Sequence, residues 1–453
     1  MSKPMPNPNQ PTRFAWNALF AVLLLLAGAE FVLRGPLRFA HAANFNDFIS
    51  PYIQTRAWID GQDPYSPQNM VRMWPPEAER FDFLTRDLAD GTLALKRGIP
   101  TAYPLTAFVL IASVAVLPWH IAHPLWLVIT VFSFGVTAAS LLFVAKLLPR
   151  TDLTLAFLAI ALALAPFHTA LAAGSIVTVA VAASAAAVWS SSRRHDILAG
   201  VLLAIAVGLK PQIGLPFCFY YLVRCRWRIP AVAGGLVILL FVLAFIHCVA
   251  SGTPWVENYL YDNRILFAHG SLGDFTEGNP IRFGLINFQV AAYTLLHNRG
   301  AASVVAIATA AAGGMFWLFL ILRRERNHAS SELLALSALT VLSLIPVYHR
   351  FYDASLLIFP LAWSLAALNG PLRALARCVL LVIILVFLFP GGTALQQLEQ
   401  AGHFAALRNY WWWNTLVLPH ECWSLLILAA LLLGAMQTRG DGKVPDDPAG
   451  HLS

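Results

Sequence analysis

The chain has 453 residues, 58% of them apolar and only 12% charged, with a net charge of +7. A soluble domain carries about twice that charge fraction, and runs of about 20 apolar residues recur from end to end, so a soluble globular fold is excluded and an all-α polytopic membrane protein is expected. The basic surplus is no nucleic-acid signal, because Lys and Arg sit in short clusters between apolar runs with no aromatic-basic recognition motif.

The first apolar run, Phe14 to Leu33, is longer than the apolar region of about 7–15 residues in a cleaved signal. Arg34 and Arg38 separate it from the small-residue site at Ala40-His41-Ala42, so a retained anchor helix is expected. Further spans are expected at 124–147, 152–166, 175–192, 196–209, 211–223, 229–250, 301–322, 332–347, 354–369, 373–390 and 416–437. Segment 104–118 is bracketed by Pro104 and Pro118. At about 22 Å of helix against a core of about 30 Å, it is read as juxtamembrane or re-entrant.

Basic clusters at Lys146/Arg150, Arg193/Arg194, Arg224/Arg226/Arg228, Arg323/Arg324/Arg326 and Arg373/Arg377 belong in the cytoplasm. The result is a single domain, 1–437, of about 12 spans with both termini inside, followed by a disordered tail, 438–453. Two long extracytoplasmic loops remain, 34–123 and 251–300. Loops of that length are usually functional. The first contains an amphipathic stretch, Tyr52 to Asp60, and a charged, helix-like one, Glu77 to Leu95; the second ends in an apolar half-helix, 285–297.

Cys218, Cys225, Cys248, Cys378 and Cys422 form no CxxC pair, and no HExxH is present. His120 and His123 flank Pro124, read as a turn. No metal site and no cofactor are expected.

Ionisable groups stand where simple connectors need none. Asp47 lies among Phe45, Phe48 and Tyr52. A carboxylate held there takes a proton from a hydroxyl, and aromatic neighbours raise its basicity by limiting solvation. The alternative is that Asn46 or Asp47 caps a helix starting at Phe48. Gly61 to Tyr65 is a turn by composition, which either shapes a site or merely reverses the chain.

Lys210-Pro211 breaks an apolar stretch on the side disfavoured for basic residues, as a phosphate ligand or as a snorkelling lysine. In the hinge Tyr348 to Asp353, His349 is a candidate to orient Asp47 or an acceptor hydroxyl, and Arg350 to bind phosphate. The alternative is a plain turn with Asp353 as a helix cap. Arg282, with Asn279 and Asn287 near it, is a further phosphate or sugar contact, and His168, Gly174 and Ser175 occupy a turn on the same face.

The expected topology gathers Asp47, Lys210, Arg282, His349 and Arg350 on one side. A carboxylate with several cations suits glycosyl transfer from a lipid phosphate: one group deprotonates the acceptor, the others stabilise the departing phosphate. There is no Gly-rich nucleotide loop and no DxD motif, which disfavours a nucleotide-sugar donor.

Asp47-Phe-x3-Tyr52, with Ala57, Gly61 and Pro64-Tyr65, resembles the start of glycosyltransferase family 87. Tyr103-Pro104-Leu105 looks like that family's YPP element, and Leu198-Ala-Gly-x7-Gly208-Leu-Lys210-Pro211, followed by Tyr220 to Arg228, looks like its G-x-K-P helix pair. The resemblance implies a GT-C-like bundle in the cell membrane that moves mannose from a polyprenyl-phosphate donor to a lipid or glycan acceptor on the periplasmic face. It also implies inverting, metal-independent transfer, with Asp47 as base and His349 as its partner. Tyr52, Tyr65 and Asn287 are expected to contact substrate, and Lys210, Arg350 and Arg282 the donor phosphate. The sequence departs from the family pattern at Leu105, where a second proline is usual, and at Ala173-Gly174-Ser175, in place of a Gly-Gln pair. These departures bear on the acceptor and the sugar.

The rival readings are a lipid or solute transporter and a ligase or polymerase using a lipid diphosphate. Transporters place ionisable groups near the midplane, whereas here they lie at span ends.

Overall fold

The computed structural model describes residues 13–41, 47–78, 84–86, 93–95, 103–323, 329–389 and 391–438. Regular structure among them is helical apart from one two-stranded ribbon. The expected tail, and Phe45 and Asn46 beside Asp47, lie outside the described residues.

Helices α1 (Arg13–Arg34) and α2 (Pro36–His41) lead into the first loop, where α3 (Ile49–Ile59) and α4 (Pro67–Arg72) lie. The Ser66 hydroxyl accepts from the Asn69 amide and Pro67 opens α4, a start that needs no N–H there. Among the described residues of the helix-like stretch Glu77 to Leu95 there is no α-helix. Strands β1 (Leu84–Arg86) and β2 (Leu93–Leu95) pair antiparallel, Leu84 opposite Leu95. The sequence between them carries Asp90-Gly91, a pair that favours chain reversal over helix.

Helix α5 (Leu105–Ala115) has 11 residues, too short by itself for an apolar core of about 30 Å. One face packs Ala107, Ile111 and Val114 on Phe48 and Ile53; another packs Leu105 and Phe108 against Tyr65 and Ala244. Helix α6 (Trp119–Val144) starts directly after Pro118 and carries Pro124 inside it. His120 and His123 are therefore helical residues, not turn residues, and the His123 ring stacks on Phe39 with centroids 4.1 Å apart.

The chain continues through α7 (Thr151–Ala163) and α8 (Ala165–Ala173), bent 48° at a break just before Pro166, then α9 (Val177–Ser192), α10 (Asp196–Leu209), α11 (Pro211–Val223) and α12 (Arg228–Ala250). The second loop holds α13 (Trp255–Leu266) and α14 (Phe288–Leu296). There follow α15 (Arg299–Leu322), α16 (Ala329–Ser343), a 3-10 segment at Phe351–Leu357 running into α17 (Ile358–Ala367), α18 (Arg373–Phe387), α19 (Gly391–Gln400) and α20 (His420–Thr438).

Six helical stretches among the described residues are long and apolar enough to cross a membrane, seven if the bent pair is one span, and five shorter apolar helices accompany them. The expected helices after residue 150 are found within a few residues of their predicted ends, whereas several are too short to count as full spans. Packing follows side-chain size. Helix α9, rich in Ala and Ser, buries 13 of its 16 residues, since small side chains let helices approach where lipid offers no hydrophobic drive. Helix α12 instead turns Ile238, Leu239, Leu243 and Ile246 outward, as a lipid-facing helix does. Gly214 sits so close to α10 that a Cβ there would meet the Val207 nitrogen at 2.6 Å.

Candidate active site

Asp47 is held from both sides. Its amide donates to the Ala173 carbonyl at 2.5 Å, just before Gly174 ends α8 in the left-handed conformation at φ +65°. The Trp126 indole donates to the Gly174 carbonyl at 2.8 Å, and the Phe48 ring stacks on Trp126 at 4.4 Å. The turn at 173–175, expected on the same face and a departure from the family pattern, is thus the socket beneath Asp47. Phe48 is the N-terminal boundary of α3 and no side-chain cap is present, so the capping alternative for Asp47 fails.

The Asp47 carboxylate faces a cavity of about 560 Å³, lined among others by Tyr103, Lys210, Gln289, Arg299, Arg350 and Tyr352. Its Oδ2 is buried and has no hydrogen-bond partner among the described residues. Burial raises the Asp47 carboxyl above its ordinary value; the Arg350 guanidinium, the Tyr352 hydroxyl and the Lys210 ammonium pull it back, and Asp353 adds to the rise.

Lys210 ends α10, and Pro211 starts α11 immediately. The Lys210 amide donates to the Ala206 carbonyl at 2.9 Å and its carbonyl accepts from the Ile213 amide at 2.9 Å, so its backbone joins the two helices. The junction is fixed by the Thr106 hydroxyl, which donates to the Gly208 carbonyl at 2.7 Å. The Lys210 ammonium pairs with Asp353, itself fully buried, and lies 5.0 Å from the Tyr352 ring centre; the Arg350 guanidinium lies 5.7 Å from the same ring. The Tyr352 ring is therefore within cation–π reach of both cations.

The hinge at 348–350 is tied to the second loop: Leu285 bridges Arg350, and the Ile286 amide donates to the His349 carbonyl at 3.0 Å. Burial works against the Arg350 charge, but Tyr348, Tyr352, Asp47 and Asp353 outweigh it and raise its pKa.

His349 does not turn toward Asp47. It is fully buried, with Nδ1 3.0 Å from Asp353 Oδ2 and Nε2 3.0 Å from the Ser343 carbonyl. Both partners are acceptors. Its contact with the cavity runs through Asp353 and Lys210. Asp353, expected at most as an N-cap, instead accepts from the Arg350 amide at 3.1 Å, three residues into the 3-10 segment.

Four other candidates lie outside the Asp47 cavity. Arg282 lines a different one, because the 3-10 turn Arg282–Gly284 directs it toward Gln396 and Glu399 rather than toward Lys210. Tyr52 is buried, its hydroxyl donating to the Leu117 carbonyl at 2.9 Å. Tyr65 is buried and donates to the Tyr103 carbonyl at 2.7 Å, so it sets the backbone of a cavity residue. Asn287 donates to Gln289, which lines the cavity and donates to Ser303 at 3.0 Å. Asp63 is a turn residue as expected: it accepts from the Tyr65 amide at 2.9 Å and from Asn258 at 2.6 Å.

The cavity adds Tyr103, Gln289, Arg299, Tyr348 and Tyr352 to the residues singled out from the sequence as candidates. Tyr348 and Tyr352 lay inside a stretch already marked by its charges; Arg299, at the start of a long apolar helix, carried no such mark.

The sequence model of glycosyltransferase family 87 matches residues 101–346, more than half of the chain. The chain belongs to glycosyltransferase family 87. No curated protein matches it in sequence. As a family 87 member it is a multi-pass membrane glycosyltransferase that uses a sugar donor and an acceptor. The matched part contains Tyr103, Lys210, Gln289 and Arg299; Asp47 and the 348–353 hinge lie outside it.

Proposed function

We propose that this glycosyltransferase moves a sugar, mannose, from a polyprenyl-phosphate donor to a hydroxyl of a lipid or glycan acceptor, on the extracytoplasmic face of the cell membrane. The observation that carries the reading is a carboxylate with a buried, unpartnered oxygen sharing one cavity with Lys210 and Arg350. The acceptor oxygen attacks the anomeric carbon as its proton passes to Asp47. The bond from that carbon to the phosphate oxygen breaks, its electron pair stays on the phosphate, and polyprenyl phosphate leaves. Attack from the face opposite the leaving group inverts the anomeric centre.

A base raised by burial is well matched to a hydroxyl proton. Lys210 and Arg350 would meet the growing phosphate charge. Leu209, Phe267 and Val347 give the cavity apolar surface suited to the first part of a lipid chain. His349 and Asp353 hold Lys210 in place.

The test is purified protein with radiolabelled polyprenyl-phosphate mannose and native lipid extract. Label should pass to an extractable acceptor, and Asp47→Asn should lower this by about 10²–10⁴-fold while expression and folding persist. Full transfer by Asp47→Asn would defeat the base assignment; no transfer by the parent protein would defeat the donor.

A further inference from the structure

A second cavity, of about 490 Å³, draws residues from the same loop and the same helix as the first. Phe275 of the second loop and Gln289 of α14 line the Asp47 cavity, whereas Asn279 and Arg282 of the same loop and Thr294 of α14 line this one. The shared loop is preformed. Buried Asp274 accepts from the Gly270 amide and the Thr276 hydroxyl, both at 2.8 Å, and its own carbonyl accepts from Asn279 at 2.8 Å.

The polar groups here are mixed in kind. Arg282 Nη1 is buried without a hydrogen-bond partner among the described residues, and its guanidinium lies 4.8 Å from the Phe283 ring centre. Burial lowers the Arg282 pKa, with Glu277 and Glu399 opposing. The amide nitrogens of Gln400 and Asn414 are spent on the Pro280 and Arg408 carbonyls, both at 2.7 Å, which leaves their amide oxygens as acceptors. Arg282 and Arg408 are balanced by Glu277 and Glu399. A bare oxyanion gains little from such balance. Vicinal hydroxyls, which donate and accept at once, match it, and buried donors without partners demand a ligand that supplies acceptors.

We propose that this second cavity binds hexose units of a carbohydrate acceptor, with Arg282 donating to sugar oxygens and Gln400 and Asn414 accepting from sugar hydroxyls. The acceptor role rests on the glycosyl-transfer reading above; the binding itself does not. Through the shared loop and α14, an acceptor chain seated here is placed next to the cavity that holds Asp47.

The experiment is saturation-transfer NMR on the full chain in detergent, with α-mannobiose and inorganic phosphate as probes and no donor present. The parent protein should bind mannobiose, Arg282→Ala and the exposed-site variant Gln400→Ala should each weaken it at least fivefold, and Lys210→Met should leave it intact. Gln400 keeps the test open if Arg282→Ala fails to fold. The proposal is overturned if the parent binds no mannobiose, if Lys210→Met removes binding while Arg282→Ala and Gln400→Ala keep it, or if phosphate alone binds in an Arg282-dependent way. Because no donor is used, intact binding without transfer counts against the polyprenyl-phosphate donor alone.

Discussion

Removing the Lys210 ammonium, as Lys210→Met, strips a fully buried Asp353 of its cation. Breaking a buried ion pair from one side costs about 3–5 kcal/mol, because the surviving charge stays out of water. Asp353 keeps two donors, His349 Nδ1 at 3.0 Å and the Arg350 amide at 3.1 Å. Hydrogen bonds to a charged group are each worth about 1.5–3 kcal/mol, so the expected loss sits at the low end, about 3 kcal/mol. Asp353→Asn leaves Lys210 as the buried, unpaired charge and should cost a similar amount.

The double variant Lys210→Met/Asp353→Asn strands neither charge and should cost no more than either single change, about 3 kcal/mol or less, which gives a coupling of at least about 3 kcal/mol. Denaturant unfolding in detergent at pH 7, across all four proteins, measures it. Losses that add to within about 0.5 kcal/mol would show that the two groups do not act as a buried pair, and the account of how Lys210 is held would fall.

Asp47→Asn should lower transfer by about 10²–10⁴-fold, the usual contribution of a positioned base. A raised Asp47 pKa also predicts that activity climbs with pH above the ordinary carboxyl value of 3.8, since only the ionised form accepts a proton; a rate already flat at pH 4 would contradict it. On the stability side the sign is opposite. The folded state binds the Asp47 proton more tightly, so its contribution is present below 3.8 and is lost as pH rises through the folded value. Asp47→Asn should therefore cost no unfolding midpoint at pH 7. Gly214→Ala should cost about 1–3 kcal/mol, because the new methyl meets backbone. Gly208→Ala, which meets only the movable end of Leu110, should cost less; equal losses would count against the packing at Val207. Single cysteines at His195 and Gln400, both exposed, should label from opposite sides of the membrane.

Much of the fold was open to reading because helix ends are written locally. Pro211 and Pro118 mark starts that the structure keeps. The charges of Glu77 to Leu95 suggest a helix, whereas strands Leu84–Arg86 and Leu93–Leu95 flank the turn pair Asp90-Gly91. The site was half visible. Asp47, Lys210 and Arg350 announce themselves as charges in an apolar chain, where any charge needs a reason. The direction of a side chain is not written locally. His349 and Arg282 have the right chemistry at the right end of the molecule, yet His349 is turned to Asp353 and Arg282 lines the second cavity. That choice is made by packing between distant segments, such as the bridge from Leu285 to Arg350.

The same long-range closure has a consequence in time. Asp47 emerges early in synthesis, and the residues that complete its surroundings, from Tyr348 to Asp353, follow about 300 residues later. At about 5–20 residues per second, that is an interval of about 15–60 s. Until its end Asp47 has no Arg350, and Lys210, once made, has no Asp353 to pair with. Under the proposed mechanism, a nascent chain already threaded through most of its helices still lacks its reaction centre, and truncation anywhere before the hinge should yield an inserted but inert product.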